Sequence, residues 1–321
     1  MTSYAPAALL PLAQRTGRWV IKQVHEQDCL YTTNLGSSIR LISHGSNELQ
    51  VDVLDNGQPA FASQIYAWRI DNGPWHRIPA AQHHLSVSLP DRQHHLVEVS
   101  CAGNTDLDQV WHGNQGFAIT SIHSTGQVEP AAPRPVVNFI GDSITAGCWV
   151  GGKHAAIDYR PESNYVGLAC DQVGVDGVRI AYSAAGVLRP GTGGVPVATD
   201  FLPRIDATTK WFPNAPQLTV VNLGVNDRRF SAAEFQLAYE KFIGQVQATF
   251  PNCPLYLMVP FSQTFRSEIL TTARRYGTGV IETTGWCHDY TDGLHPNQRG
   301  AVMAGHHLAY VLKKLITKEA W

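Results

Sequence analysis

No apolar run in the 321-residue chain approaches the roughly 20 residues that a membrane-spanning helix needs. The sequence therefore predicts no membrane partner. A basic surplus is also missing: 24 Lys and Arg stand against 26 Asp and Glu, for a formal net charge of -2. Without a positive field there is little to grip phosphates, and no nucleic-acid partner is expected. Charged residues make up only 16% of the chain against 44% hydrophobic ones, which argues against disorder. The six cysteines, at 29, 101, 148, 170, 253 and 287, are scattered and contain no C-x-x-C pair. That spacing fits neither a disulfide framework nor a zinc site. The first twelve residues carry no Lys or Arg and are broken by Pro6 and Pro11, unlike a secretory leader. Free thiols and the missing leader pattern together point to the cytoplasm.

What is present divides into two textures. From about Trp19 to Ile122, short alternating segments are separated by turn residues. Leu49, Val51 and Val53 precede Asp55-Asn56-Gly57, and Tyr66 to Ile70 precede Asp71-Asn72-Gly73-Pro74. Leu85, Val87 and Leu89 run up to Pro90-Asp91, with Val97, Val99 and Cys101 beyond. Alternation of period two between such turns predicts antiparallel strands, and several of them predict a β-sandwich or jelly roll. Gly126 to Pro135, with three prolines and no apolar period, reads as a linker. The expected division is 1–132 for the β-domain and 133–321 for the second domain.

After the linker, nearly continuous apolar runs recur at Val136–Ile140, Val178–Tyr182, Leu218–Leu223 and Leu255–Val259. Such runs suit strands buried on both faces. Between them, Ser231-Ala232-Ala233-Glu234 has the capping-box form, and Phe235, Ala238, Phe242, Ile243, Val246 and Phe250 follow at helical spacing. Val302, Ala309, Leu312, Leu315 and Ile316 mark a further amphipathic helix. Alternating strands and helices predict a parallel α/β sheet with its chemistry at the carboxyl ends of the strands.

Three segments carry candidate chemistry, two of them at such positions and one near the C-terminus. Gly141-Asp142-Ser143 follows the first buried strand, where Ser143 is either a nucleophile or part of a helix cap. Leu223-Gly224-Val225-Asn226-Asp227 ends another strand, where Asn226 is either an oxyanion donor or a loop residue. Asp292-Gly293-Leu294-His295-Pro296 sets a carboxylate three residues before a histidine. It is either a solvated turn or a turn in which Asp292 holds one ring nitrogen and the other faces Ser143.

In this order the three segments resemble blocks one, three and five of the SGNH/GDSL hydrolases, and Gly186 in Tyr182-Ser183-Ala184-Ala185-Gly186 matches the lone glycine of block two. The resemblance spans roughly residues 136 to 316. It implies a flavodoxin-like sheet and ester hydrolysis through an acyl-enzyme, with no metal and no organic cofactor. By position it makes Ser143 the nucleophile, His295 the base and Asp292 the residue that orients it. The Ser143 and Gly186 N–H groups and the Asn226 amide would form the oxyanion hole. A β-domain ahead of such a hydrolase is similar to carbohydrate esterase family two, whose members remove acetyl groups from sugars. Some members hold the histidine through a backbone carbonyl in place of the acid.

Other residues invite competing readings. If Pro90 to Gln93 is a hairpin turn, His83-His84 and His94-His95 lie about five residues apart along the hairpin, roughly 16 Å at 3.3 Å per residue, too far to share a metal within one molecule. Trp149 and Trp286 are candidates to stack on a sugar ring at the mouth of the site, or else they pack the core. Arg228 and Arg229 either meet an anionic substrate or sit in solvent. Cys148 has no cationic neighbour in sequence to activate it. The leading expectation is a serine esterase acting on short acyl esters of carbohydrate. The alternatives are a lysophospholipase or thioesterase of the same type, and a non-catalytic carbohydrate-binding protein.

Overall fold

The computed structural model of the protein describes residues 1–213 and 215–318. The N-terminal half is a sandwich of two antiparallel sheets of six strands each. One sheet runs Val20–Val24, Gln27–Thr32, Phe117–Ser124, Glu48–Leu54 and His84–Ser88, with Thr2–Tyr4 added to Phe117–Ser124. The other runs Gln127–Pro130, Ser38–His44, His95–Gly103, Ile65–Ile70 and His76–Pro79, with Gln14–Thr16 added to Ser38–His44. Alternation explains the layering. Leu49, Val51 and Val53 point inward from one sheet and meet Ile39, Leu41, Val97 and Val99 from the other. Asp71 and Asn72, both in the left-handed region, make the tight turn between Ile65–Ile70 and its partner His76–Pro79.

Two expectations for this half are corrected. Residues 127–130 of the proposed linker form an edge strand, registered from Gln127 opposite His44 to Pro130 opposite Leu41. Val128 is buried there, and an edge strand tolerates the missing donor of Pro130. The segment around Pro90 is not a hairpin either. His84–Ser88 pairs with Glu48–Leu54 while His95–Gly103 belongs to the opposite sheet, so the chain crosses the sandwich there. The histidines go separate ways. His84 pairs with Asp52, His95 lies between Asp71 and Asp91, and His94 packs on His44.

The C-terminal half holds a five-stranded parallel sheet in the order Asp176–Ala181, Val136–Gly141, Leu218–Asn222, Leu255–Met258, Gly279–Ile281. Alternate residues of the central strands serve opposite faces. Val137, Phe139, Leu218 and Val220 pack under helices Tyr165–Val173 and Gln298–Lys318. Ile140, Val221 and Leu257 pack with Phe235, Phe242 and Ile243 of helix Ala232–Thr249 and with helix Arg266–Tyr276. The Ser231 hydroxyl accepts the Glu234 N–H while the Glu234 carboxylate accepts the Ser231 N–H, so that helix begins at a reciprocal cap. The strand order reverses direction around Val136–Gly141, and a crevice opens at such a reversal.

The two halves share one core. Tyr31, Val110, Trp111 and Ala118 of the sandwich cluster with Val178, Ile180, Tyr182 and Phe201. Buried Arg18 donates to the Phe201 and Arg204 carbonyls at 2.9 and 2.8 Å and to the Tyr182 hydroxyl at 2.7 Å. Arg40 pairs with Asp176 at 2.8 Å with both side chains buried. Removing one partner of a buried pair costs about 3–5 kcal/mol. A fragment starting near Pro133 would strand Asp176 and uncover Tyr182 and Phe201. It should elute as aggregate on size exclusion and be weakly active. A monodisperse, fully active fragment would contradict this.

Candidate active site

The first strand of the parallel sheet ends at Gly141, where a Cβ would fall 2.2 Å from the Thr145 hydroxyl. Asp142 then caps a single helical turn, Ser143–Ala146, accepting the Ile144 N–H at 2.9 Å. Gly147, at φ +95°, closes it. Ser143 stands at the carboxyl end of the strand, only 4% exposed. Its Oγ lies 2.8 Å from His295 Nε2, and His295 Nδ1 lies 2.8 Å from Asp292 Oδ2. The other carboxylate oxygen, Oδ1, accepts the Leu294 and His295 N–H groups at 3.0 and 2.8 Å, so the turn through Gly293 folds back onto Asp292. Burial pushes the Asp292 carboxyl up, but hydrogen bonds from the His295 backbone and ring outweigh it and hold the group below its usual range.

In the parallel register Gly141 stands beside Ala181 on one side and Asn222 on the other, so the three following turns start together. Asn226 lies in the turn after the third strand, 6% exposed. One amide N–H donates to the Ala185 carbonyl at 3.0 Å, and its oxygen faces Arg189 Nη1 at 3.5 Å. A carbonyl on one side and a cation on the other orient the amide, and among the described residues its second N–H has no partner.

Gly186 is brought beside Asn226, yet its N–H is already spent on the Arg189 carbonyl at 2.8 Å. The oxyanion role expected of that N–H is therefore not available in this conformation, because the turn 186–189 closes on itself. Two residues earlier, Ala184 is held at φ +59°, a conformation uncommon for a residue with a side chain. Among the described residues its N–H has no hydrogen-bond partner, and neither does that of Ser143. Sequence reasoning passed over Ala184 because an alanine carries no mark of a left-handed turn.

Asp227 was also passed over, although it lies within the third motif. It is fully buried and accepts three backbone donors: Val187 on Oδ2 at 3.0 Å, Leu188 and Arg189 on Oδ1 at 2.9 and 3.0 Å. Burial nevertheless leaves its carboxyl above the ordinary range. Asp142 is pushed up to about 7, chiefly by burial, with the nearby Asp227 adding to the rise against the Ile144 N–H.

The tryptophans separate. The Trp149 ring meets the His295 ring edge-on at 6.4 Å, and its carbonyl accepts the Thr291 hydroxyl at 2.6 Å. Trp286 is 9% exposed and stacks on His307 at 5.2 Å, so of its two readings the structure favours core packing over sugar stacking. Arg228 donates to the Val225 carbonyl and Arg229 lies over the Phe230 ring, both at the surface, while Arg189 is the cation beside Asn226. Burial pushes the Cys148 thiol well up, which rules against a thiolate nucleophile.

A serine, histidine and carboxylate stand here in hydrogen-bonded series at the reversal of a doubly wound sheet, the arrangement that nucleophilic catalysis by a serine requires. The chain belongs to the GDSL-like lipase/acylhydrolase family, which matches residues 139–302, and is a carboxylic ester hydrolase of that type. It is similar to the cellulase/esterase CelE of Acetivibrio thermocellus, 28% identical over 145 residues. That stretch is 40% of this chain and only 18% of CelE. Its fold is similar to that of a family two carbohydrate esterase from Cellvibrio japonicus, with a TM-score of 0.79 at 17% identity over 98% of both chains. A family two carbohydrate esterase from Corynascus thermopiles, solved with its carbohydrate-binding domain, gives 0.77 at 20% identity, covering 96% of this chain and all of that one. Both likenesses extend through the β-domain as well as the catalytic sheet.

Proposed function

We propose that the protein removes acetyl or other short acyl groups from carbohydrate through an acyl-enzyme on Ser143. The observation that carries the reading is the unbroken series from Ser143 Oγ through the His295 ring to Asp292, each step 2.8 Å. In the first step His295 Nε2 takes the Ser143 proton as Oγ bonds to the ester carbonyl carbon. The carbonyl oxygen becomes an oxyanion, and the Ser143 N–H, the Ala184 N–H and the free Asn226 N–H are its donors. Collapse expels the sugar alkoxide, which takes the proton from His295. Water then attacks the acyl-serine with His295 as base, releasing the carboxylate and restoring the serine hydroxyl. Carbohydrate as the alcohol side is supported by the names of the relatives and by their shared two-domain fold.

Acetate release from a panel of acetylated mono- and polysaccharides, beside a 4-nitrophenyl ester series of rising chain length, tests this reading. Activity should peak at acetate and vanish in Ser143→Ala. A maximum at long acyl chains would indicate a lipase or thioesterase instead. Sugar binding without turnover would indicate a binding protein.

Asn226 offers a separate check. Asn226→Ala should lower kcat by about 10²–10³ with KM nearly unchanged, the pattern for a donor used only in the transition state. A change confined to KM would make Asn226 a ground-state binding residue.

A further inference from the structure

Gly186 and Asp227 interlock in a way that the acyl-transfer steps do not use. A Cβ built on Gly186 falls 2.3 and 2.4 Å from the two Asp227 carboxylate oxygens. Gly186 does not lie in the left-handed region, so its backbone alone would accept an alanine. Space is the constraint, and it cannot be relieved by small shifts. The Gly186 N–H is bound to the Arg189 carbonyl at 2.8 Å and its own carbonyl accepts the Ala198 N–H at 3.0 Å. The Asp227 carboxylate is held from the other side by three consecutive N–H groups. The neighbouring Asn226 is tied to the same loop through the Ala185 carbonyl. The turn after the third strand thus grips the loop after the second at 185 and at 187–189, immediately beyond the free N–H of Ala184.

We infer that Asp227 is a positioning residue that fastens loop 184–189, and that Gly186 serves this site by leaving room for the Asp227 carboxylate and not as an N–H donor. The inference rests on the esterase reading above and deepens it. The rigid clamp fixes where the Ala184 N–H stands relative to Ser143 and Asn226. Displacing a positioned group by about 1 Å costs about 10² in rate.

A double-mutant cycle on the full chain, assayed with 4-nitrophenyl acetate, tests this. Gly186→Ala keeps its N–H but crowds Asp227, so a pure donor role predicts near-full activity for Asp227→Ala and no coupling between the two positions. The clamp predicts a fall in kcat of about 10² with KM within about threefold, and a matching fall for Asp227→Ala. Because both act through one contact, the double variant should be no slower than the worse single. Inhibition by a boronic acid, whose tetrahedral adduct on Ser143 fills the oxyanion pocket, should weaken in step with kcat. A merely structural role would lower the melting temperature without that parallel loss. Should Asp227→Ala not fold, Asp227→Ser takes its place, since it admits the Cβ and still accepts one N–H. Fully active Gly186→Ala, or losses that multiply in the double variant, overturn the clamp while leaving the esterase reading intact. Full activity in Ser143→Ala, with no boronate inhibition of the wild type, overturns the esterase reading itself.

Discussion

Replacing Ser143 or His295 by alanine is expected to lower turnover by about 10⁶, and replacing both should cost no more than either alone, as in serine-protease triads. The geometry is the reason. Among the described residues Ser143 Oγ has its only side-chain partner in His295 Nε2, so the hydroxyl is nearly inert without the imidazole and the imidazole has nothing to deprotonate without the hydroxyl. Each residue is therefore worth the whole of the covalent route. The activity left in either variant should be that of binding and oxyanion donors acting on a water molecule, about 10³–10⁴ over solution. Single-turnover rates on 4-nitrophenyl acetate for the two singles and the double measure this directly. Multiplying losses would show that the two side chains act in separate steps.

Asp292→Asn should reduce kcat by about 10⁴ near neutral pH if the carboxylate holds the working tautomer of His295. An asparagine can still accept the Leu294 and His295 N–H groups through its oxygen, so the turn should survive. Its NH₂ would then face His295 Nδ1 and drive the ring proton onto Nε2. The nitrogen facing Ser143 would become a donor and could not take the serine proton. The figure is an upper one, because the Asp292 side chain is 35% exposed and water would stand in for part of the lost charge. Melting temperature measured beside the rate separates a tautomer effect from a folding defect. A well-folded variant that loses less than about tenfold would reduce the triad to a dyad held by other means.

Charge on Asp292 also sets a pH limit. Its carboxyl is held below the ordinary range in the folded chain, so the stability it contributes is present above the unfolded value and is lost as pH falls through the folded one. Protonation there removes the anchor of His295 at the same time.

Much of this architecture was legible in the sequence because the signals are local. The capping box at Ser231 and Glu234 needs only four consecutive residues, and the continuous apolar runs needed only a sheet to bury both faces. The Asp292-x-x-His295 spacing suffices for a turn that faces carboxylate to ring. Other features depended on partners distant in the chain. Residues 127–130 became a strand because Ser38–His44 offered an open edge. The chain around Pro90 crossed between sheets because each flanking strand found a different neighbour. Trp286 was claimed by His307 from the last helix, which covered the ring face a sugar would need. The sharpest case is the loop after the second parallel strand. There the sequence marked Gly186 through its match to the lone glycine of the second hydrolase block. Only the packed structure decided that its N–H goes to Arg189, that its missing Cβ makes room for Asp227, and that the Ala184 N–H is left without a partner among the described residues. A motif records which residue types suit a site, whereas the partner of each N–H is chosen by packing across some forty residues of intervening chain.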